Sequence, residues 1–250
     1  MKFSGAIFAT AICLCSSLAS AGDIYLYGTI GGAPVFADIT NDKGNLDGFY
    51  YYMRYAKAIS IGGKRDAGGA FTLTTPGANA ETLQGTVHGT QWTGTWKSAD
   101  GKKTLPIALI ESHDTLASLN GNYKCDTKEP EPAYGYTFDR SLWLNASKGH
   151  LMSFGMSQYA RGNGDDQGCS IALSDLKQVP SDNGILLHAK EDHPSDNAHC
   201  AVRMIAAGDY IIVSANDCES AGDTMFCTAR GGGFSSMFLN RKTGACKAEQ

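Results

Sequence analysis

Ile24-Tyr25-Leu26-Tyr27-Gly28-Thr29-Ile30-Gly31-Gly32-Ala33-Pro34-Val35-Phe36-Ala37-Asp38-Ile39 holds two aromatic and β-branched runs separated by a pair of glycines. Tight hairpin turns need positive φ, which glycine adopts without a Cβ penalty, so this stretch reads as a hairpin. Asn41-Asp42-Lys43-Gly44-Asn45 is the next turn, and Gly48-Phe49-Tyr50-Tyr51-Tyr52-Met53 the next strand. Successive side chains on a strand point to opposite faces, so at least one of the three tyrosine rings must leave the core side.

The pattern continues. Strands are expected at 57–61, 70–74, 82–87, 90–97 and 104–110, broken by Gly62-Gly63, Pro76-Gly77, Gly89 and Asp100-Gly101. Turn signals at such short intervals with no helical period indicate an antiparallel all-β meander. Eight strands suffice to close a small barrel, which removes exposed edges; a sandwich is the alternative. Gly48-Phe49-Tyr50-Tyr51 leading to Ile59-Ser60-Ile61, and Gly94-Thr95-Trp96-Lys97 leading to Leu105-Pro106-Ile107, form a degenerate echo that a reused hairpin explains.

Outside this region the cysteines organise the chain. Of eight, Cys13 and Cys15 sit near the N-terminus, and Cys125, Cys169, Cys200, Cys218, Cys227 and Cys246 all lie in the second half. Met1-Lys2, the apolar run 6–14 and Ala19-Ser20-Ala21 fit a secretory leader cleaved after Ala21. The apolar run is too short to span a bilayer. Leu14 argues against Cys15 as a lipid-bearing cysteine, since a small residue ordinarily precedes one. The expected organisation is a leader (1–21), a cysteine-free antiparallel β domain (22–115) and a disulfide-bonded β domain (116–250).

Strands in the last part are expected at 123–125, 141–144, 150–156, 169–173, 185–189, 200–205, 210–214, 225–229 and 234–239. Residues 129–132, with Pro130 and Pro132, should form a loop, and 174–178 one helical turn. Six cysteines admit many pairings that sequence cannot choose among. Their spacing makes a short Cys218–Cys227 bridge attractive, with Cys169–Cys200 and Cys125–Cys246 completing the set. A four-thiolate zinc site lacks any C-x2-C pair.

Net charge is −4, and loss of Lys2 with the leader makes the remainder slightly more acidic. With no Lys/Arg block there is no electrostatic footprint for nucleic acid. No second long apolar run exists, so no membrane span is expected in the mature form.

Two resemblances bear on the class. Tyr27-Gly28-Thr29-Ile30-Gly31, Gly48-Phe49-Tyr50-Tyr51-Tyr52, Trp92-Thr93-Gly94-Thr95-Trp96 and Asp100-Gly101-Lys102 resemble a module of uncharacterised exported β-rich proteins of Gram-negative bacteria. This implies a sheet-rich fold and a periplasmic address, and carries no catalytic residue. Cys200-Ala201-Val202, Asp217-Cys218 and Phe226-Cys227-Thr228-Ala229-Arg230-Gly231 resemble the tail of periplasmic lysozyme-inhibitor-type proteins, departing at Gly231-Gly232-Gly233. Those are disulfide-held β-folds that cap a cell-wall hydrolase.

Chemistry is sparse. Ser112-His113-Asp114 are consecutive and cannot face one another as a triad; they read as a polar linker. No G-x-S-x-G elbow or H-E-x-x-H helix occurs. His188, His193 and His199, with Asp192 and Asp196, are the densest set of weak metal candidates, in a segment broken by Pro194. Asn163-Gly164-Asp165-Asp166 is oxygen-rich but lacks the calcium-loop ladder. Glu81, Glu111, Glu191 and Glu219 have no context that assigns them a glycosidase role. No cofactor is expected.

Binding is better supported. Trp92 and Trp96 share a strand face and either line a sugar-stacking groove or fill a barrel core. Asp217, Arg230, Gly231, Gly232, Gly233 and Phe234 belong to a flexible segment suited to contacting a partner. The expected function is a non-catalytic periplasmic interaction protein, an inhibitor or immunity-type factor whose partner is an envelope hydrolase or toxin. The alternatives are a secreted wall hydrolase, metal-assisted at the histidines, and passive peptidoglycan binding through Trp92 and Trp96.

Overall fold

The structure, a computed structural model, describes residues 22–113, 116–131, 135–162, 165–181, 184–190, 200–216, 218, 227 and 233–249. Eight consecutive strands form a closed up-and-down barrel. They are β1 (Gly22–Ile30), β2 (Ala33–Asp42), β3 (Asn45–Tyr52), β4 (Ala58–Arg65), β5 (Ala70–Thr74), β6 (Thr82–His88), β7 (Gln91–Lys97) and β8 (Thr104–Glu111). Antiparallel pairing of β1 with β8, from Leu26↔Glu111 to Ile30↔Ile107, closes the seam. Gly28 permits that closure, because a Cβ there would lie 2.1 Å from the Ala108 carbonyl oxygen.

Alternation along each strand fills the interior. Leu26, Ile30, Val35, Ile39, Tyr50, Phe71 and both tryptophans form one buried cluster, and a cavity of only about 10 Å³ remains inside it. The polar edges of the large rings are satisfied where the barrel opens. Trp92 Nε1 donates to Glu111 Oε1 at 2.8 Å, while Tyr50 Oη and Trp96 Nε1 donate to Glu81 Oε2 at 2.7 and 3.0 Å. The barrel is therefore a packed body.

Two further sheets follow a short 3-10 turn at Leu116–Leu119. The first has four strands in the order β12-β11-β10-β9: β9 (Gly121–Glu131), β10 (Tyr136–Ser147), β11 (His150–Gly162) and β12 (Asp165–Ala172). The second has six in chain order: β13 (Leu176–Val179), β14 (Ile185–Ala189), β15 (Ala201–Ala207), β16 (Tyr210–Asn216), β17 (Met237–Asn240) and β18 (Cys246–Ala248).

The six-stranded sheet lies between the other two bodies. Its strands carry unbroken apolar runs, Met204-Ile205-Ala206-Ala207, Ile211-Ile212-Val213 and Met237-Phe238-Leu239, because both faces are covered. Met204, Ile211, Val213, Met237 and Leu239 pack on Leu142, Leu144, Phe154 and Met156 of the four-stranded sheet. Ile205, Ala207, Ile212 and Phe238 face the other way, onto Tyr25, Phe36, Tyr51 and Met53 of the barrel wall. Of the three consecutive tyrosines, Tyr51 is the ring that leaves the barrel core, lying 5.1 Å from Phe238. The expected boundary near residue 115 thus separates parts that share a buried apolar layer. Ser112 belongs to that junction, its Oγ donating to the Ala206 carbonyl at 3.0 Å.

Three disulfides staple the second half, bonding that belongs to an oxidising, non-cytoplasmic location. Among the described residues no helix is long and apolar enough to cross a membrane. Cys125–Cys246 is as expected and joins β9 to β18. The other two pairings are corrected to Cys169–Cys227 and Cys200–Cys218. Cys200 and Cys218 flank the paired positions Ala201 and Asn216, so they meet across β15 and β16. Cys169 lies in β12 of the other sheet, where Cys227 forms an isolated bridge against it.

Other expectations also change. Pro130 sits inside β9 rather than in a loop, tolerated because β9 is an edge strand. The turn expected at 174–178 is a 3-10 turn over Leu173–Asp175, after which β13 begins. The expected strand at 234–239 forms only over Met237–Asn240. Apart from Cys227, the strand expected at 225–229 lies outside the described residues.

Candidate functional site at the barrel–sheet junction

Tyr25, Phe36 and Tyr51 on the barrel wall are apolar, but further along the same outward-facing rows the residues become polar. Asp23 precedes Tyr25 on β1, Asp38 and Thr40 follow Phe36 on β2, and Asp47 and Phe49 precede Tyr51 on β3. Tyr25, Asp38 and Phe49 stand side by side in register. Across from them, β14, β15 and β16 supply Leu186, Ala201, Arg203 and Asn216. A groove of about 290 Å³ runs between the two walls.

Its electrostatics are unbalanced. Arg203 is the cation in the lining: its guanidinium lies 5.2 Å from the centre of the Tyr25 ring, and Nη2 is 3.8 Å from Asp23 Oδ2. Arg203 Nη1 also donates to Ser181 Oγ at 3.4 Å. Asp23 accepts from Tyr25 Oη at 3.3 Å and Thr40 Oγ1 at 3.4 Å. Burial pushes the Asp38 carboxyl up to about 6; Asp23 and Glu249 add to the rise and Arg203 opposes it. Burial, with Asp38 next, also raises the Tyr25 phenol well above its ordinary range. Three carboxyls against one guanidinium suit a cationic group. The Phe49 ring, 45% exposed, offers a face against which an aliphatic stem or a cation can lie.

These acids do not converge on an ion. Among the described residues no group of three or more His, Cys, Asp or Glu is placed to hold a metal. His188 is on β14 opposite Lys177 and Ala201. His193, His199, Asp192 and Asp196 lie outside the described residues, as do Asn163, Gly164, Glu191 and Glu219.

Trp92 and Trp96 are 0% and 7% exposed inside the barrel, so neither ring faces a sugar-stacking groove. The reading of these rings as core is the one the fold places there. Ser112 is held by Tyr25 and Ala206, and His113 Nε2 lies 3.6 Å from Glu111 Oε2; Asp114 is outside the described residues. Glu81 and Glu111 are occupied by the rings they cap.

Of the expected partner segment, Asp217, Arg230, Gly231 and Gly232 lie outside the described residues. Gly233 is buried, and Phe234 packs half-buried against the core between the two sheets. The chain around them is fixed by a polar cluster. Gln158 Nε2 donates to the Gly233 carbonyl at 2.8 Å, and Arg140 bridges Gln158 Oε1 and Glu129 Oε2 at 2.6 and 2.9 Å.

Sequence reading missed the junction residues Asp23, Asp38, Asp47, Phe49 and Arg203. One signal was available: Asp38 interrupts Val35-Phe36-Ala37-Asp38-Ile39, an acid in mid-strand where alternation alone would permit an apolar contact. Comparison with family models, with curated proteins and with solved structures finds no match to this chain.

Proposed function

We propose that this is a non-catalytic interaction protein that acts in the periplasm, after removal of a leader near Ala21, as an inhibitor or immunity-type factor against a cell-envelope hydrolase. The observation that carries the reading is the acidic groove between two rigidly packed walls. A hydrolase that works on an anionic wall polymer presents a cationic surface, and complementary potentials speed encounter and fix register. A basic side chain of the enzyme enters between Asp38 and Phe49, with its charge shared among Asp23, Asp38 and Asp47. Disulfides and a shared apolar layer hold the walls in place, so little conformational freedom is lost on docking.

The test is capture from periplasmic extract coupled to a lytic assay. The wild-type protein should retain a wall hydrolase and lower its lysis of wall suspensions. The Asp23→Lys/Asp47→Lys variant should do neither while keeping its fold. If lysis is unchanged by the wild-type protein, the proposal fails.

A further inference from the structure

The four-stranded sheet has a second face. Its inner side carries Leu142, Leu144, Phe154 and Met156. Alternation therefore puts Trp143 of β10 and Tyr159 of β11 on the outer side, and neither belongs to any of the three apolar clusters. Each ring lies down on a glycine of the neighbouring strand. A Cβ on Gly155 would meet the Trp143 indole at 1.8 Å, and one on Gly168 would meet the Tyr159 ring at 2.2 Å. A ring that stands up from a surface is a knob for a protein pocket, whereas one laid flat presents its π face, which at Tyr159 is shared with Arg161, whose guanidinium carbon lies 5.9 Å from the ring centre. That face carries partial negative charge and attracts the C–H-rich face of a pyranose.

The two rings are spaced along the sheet. Trp143 pairs with Gly155, and Tyr159 lies four residues further along β11, about 13 Å at the usual rise per residue. Beside Tyr159 lies an open groove of about 460 Å³ whose lining includes Asp126, Lys128, Asp139, Ser141, Ser157 and Arg161, and its Ser141–Ser157 pair stands between the two rings. Ser141 Oγ donates to Asp126 Oδ1 at 2.6 Å, and Arg161 Nε pairs with Asp139 Oδ2 at 2.6 Å. The other oxygen, Asp139 Oδ1, receives no hydrogen bond among the described residues; its contact is with Lys128 Nζ at 3.6 Å. The hydroxyls of Ser141 and Ser157, with Asp126 and Asp139 balanced by Lys128 and Arg161, suit a neutral polyhydroxylic chain better than a charged polymer.

We propose that this outer face binds an extended β-linked oligosaccharide, stacked on Trp143 and Tyr159, with its hydroxyls held by the polar groups between the rings. The site is separate from the junction groove and does not rest on the inhibitor reading. It moves glycan recognition from Trp92 and Trp96, which are in the core, to a different tryptophan and a different sheet.

Intrinsic fluorescence tests it directly, since Trp143 is the tryptophan that lies outside the buried set. Titration of the oxidised protein with tetramers and hexamers of β-1,4-linked N-acetylglucosamine, and of β-1,4-linked glucose, should give saturable quenching or a blue shift, with the hexamer bound more tightly. Tyr159→Ala keeps the reporter and should weaken binding about tenfold. Trp143→Ala, followed by calorimetry, should weaken it at least as much, and Trp143→Phe should restore part of the loss. Tyr55→Ala, at an exposed ring on the barrel, should leave binding unchanged. Far-UV circular dichroism identifies any variant that has lost its fold. Absence of binding to all of these glycans, or binding indifferent to both rings, overturns the proposal. So does a result in which the two ring variants abolish capture of the hydrolase and no glycan binds, because the face would then dock protein. Glycan binding without hydrolase inhibition would overturn the inhibitor reading alone.

Discussion

Asp38→Asn isolates the cost of placing a carboxylate in the junction groove. Burial holds the Asp38 carboxyl at about 6 in the folded protein, against roughly 3.9 for an unperturbed aspartate. The fold therefore prefers the protonated acid. Well below pH 4 the group is protonated in both states and costs nothing. As pH rises from about 4 to 6 the unfolded chain ionises first, so stability falls, and above about 6 the penalty is constant. Each tenfold in the ionisation constant corresponds to about 1.4 kcal/mol, giving a full penalty of about 2–3 kcal/mol at neutral pH.

Burial is the main cause of that value; Asp23 from β1 and Glu249 beyond β18 add to it and Arg203 from β15 opposes it, while Tyr25 from β1 and Asp47 and Phe49 from β3 also line the groove. Asparagine keeps the shape and removes the ionisation. Urea unfolding of the disulfide-intact protein at pH 4 and pH 7.5 gives the comparison. The variant should exceed the wild type by only about 0.5 kcal/mol at pH 4 and by about 2 kcal/mol at pH 7.5. Because the other titrating groups are common to both proteins, the difference between the two curves isolates Asp38. A difference that is flat with pH, or that favours the wild type at pH 7.5, would mean that Arg203 outweighs desolvation, and the reasoning would be wrong.

Other consequences follow from single contacts. Cys125→Ala/Cys246→Ala opens a connection with a sequence separation of 121 and should cost at most roughly 4–5 kcal/mol in chemical denaturation, the chain-entropy limit for such a loop. Peptide mapping without reduction should recover Cys169–Cys227 and Cys200–Cys218, and a Cys218–Cys227 peptide would contradict the placement of the two sheets. Trp92→Phe removes the donor to Glu111 in a core position and should destabilise the barrel by about 1–3 kcal/mol in thermal melts, since a partly buried carboxylate loses a hydrogen bond. Gly28→Ala forces a Cβ onto the Ala108 carbonyl oxygen and should lower stability by more than 1 kcal/mol, with faster amide exchange along β1 and β8.

The eight barrel strands were legible because each is a local signal, but Gly62-Gly63, expected as a break, lies inside β4, where Gly63 pairs with Leu46 and Leu73. A strand needs alternation, a turn needs glycine or proline, and in an up-and-down meander every pairing is between neighbours. The closing pairing of β1 with β8 was the exception, and it completes the meander without any crossover. The edge strand β9 was shortened in the reading because proline removes a donor; only the sheet order shows that its outer side has no ladder to lose. The middle sheet was harder still, since a run such as Ile211-Ile212-Val213 says that both faces are covered and does not say by what.

The sites fared worse for the same reason. Trp92 and Trp96 share a face, but the sequence does not state that the face is the inside of a closed barrel. Trp143 sits between Leu142 and Leu144, and alternation alone puts it opposite them; that this opposite side is open depends on where the neighbouring sheet packs. Asp23, Asp38, Asp47 and Arg203 are brought together by docking between segments far apart in the chain.

Local signals in the chain were enough for the class of fold, most of the barrel strands and the concentration of disulfides in the second half, and Cys125–Cys246 matched the expected set without being singled out by it. These depend on backbone propensity, side-chain period and composition, which act over a few residues. The tertiary structure settled the cysteine pairings, the burial of Trp92 and Trp96, the half-buried placement of Trp143 on the outer face of its sheet and the acidity of the groove. Each of those depends on which surfaces meet, and contact between distant surfaces is settled by burial of the whole apolar layer rather than by any local run of residues.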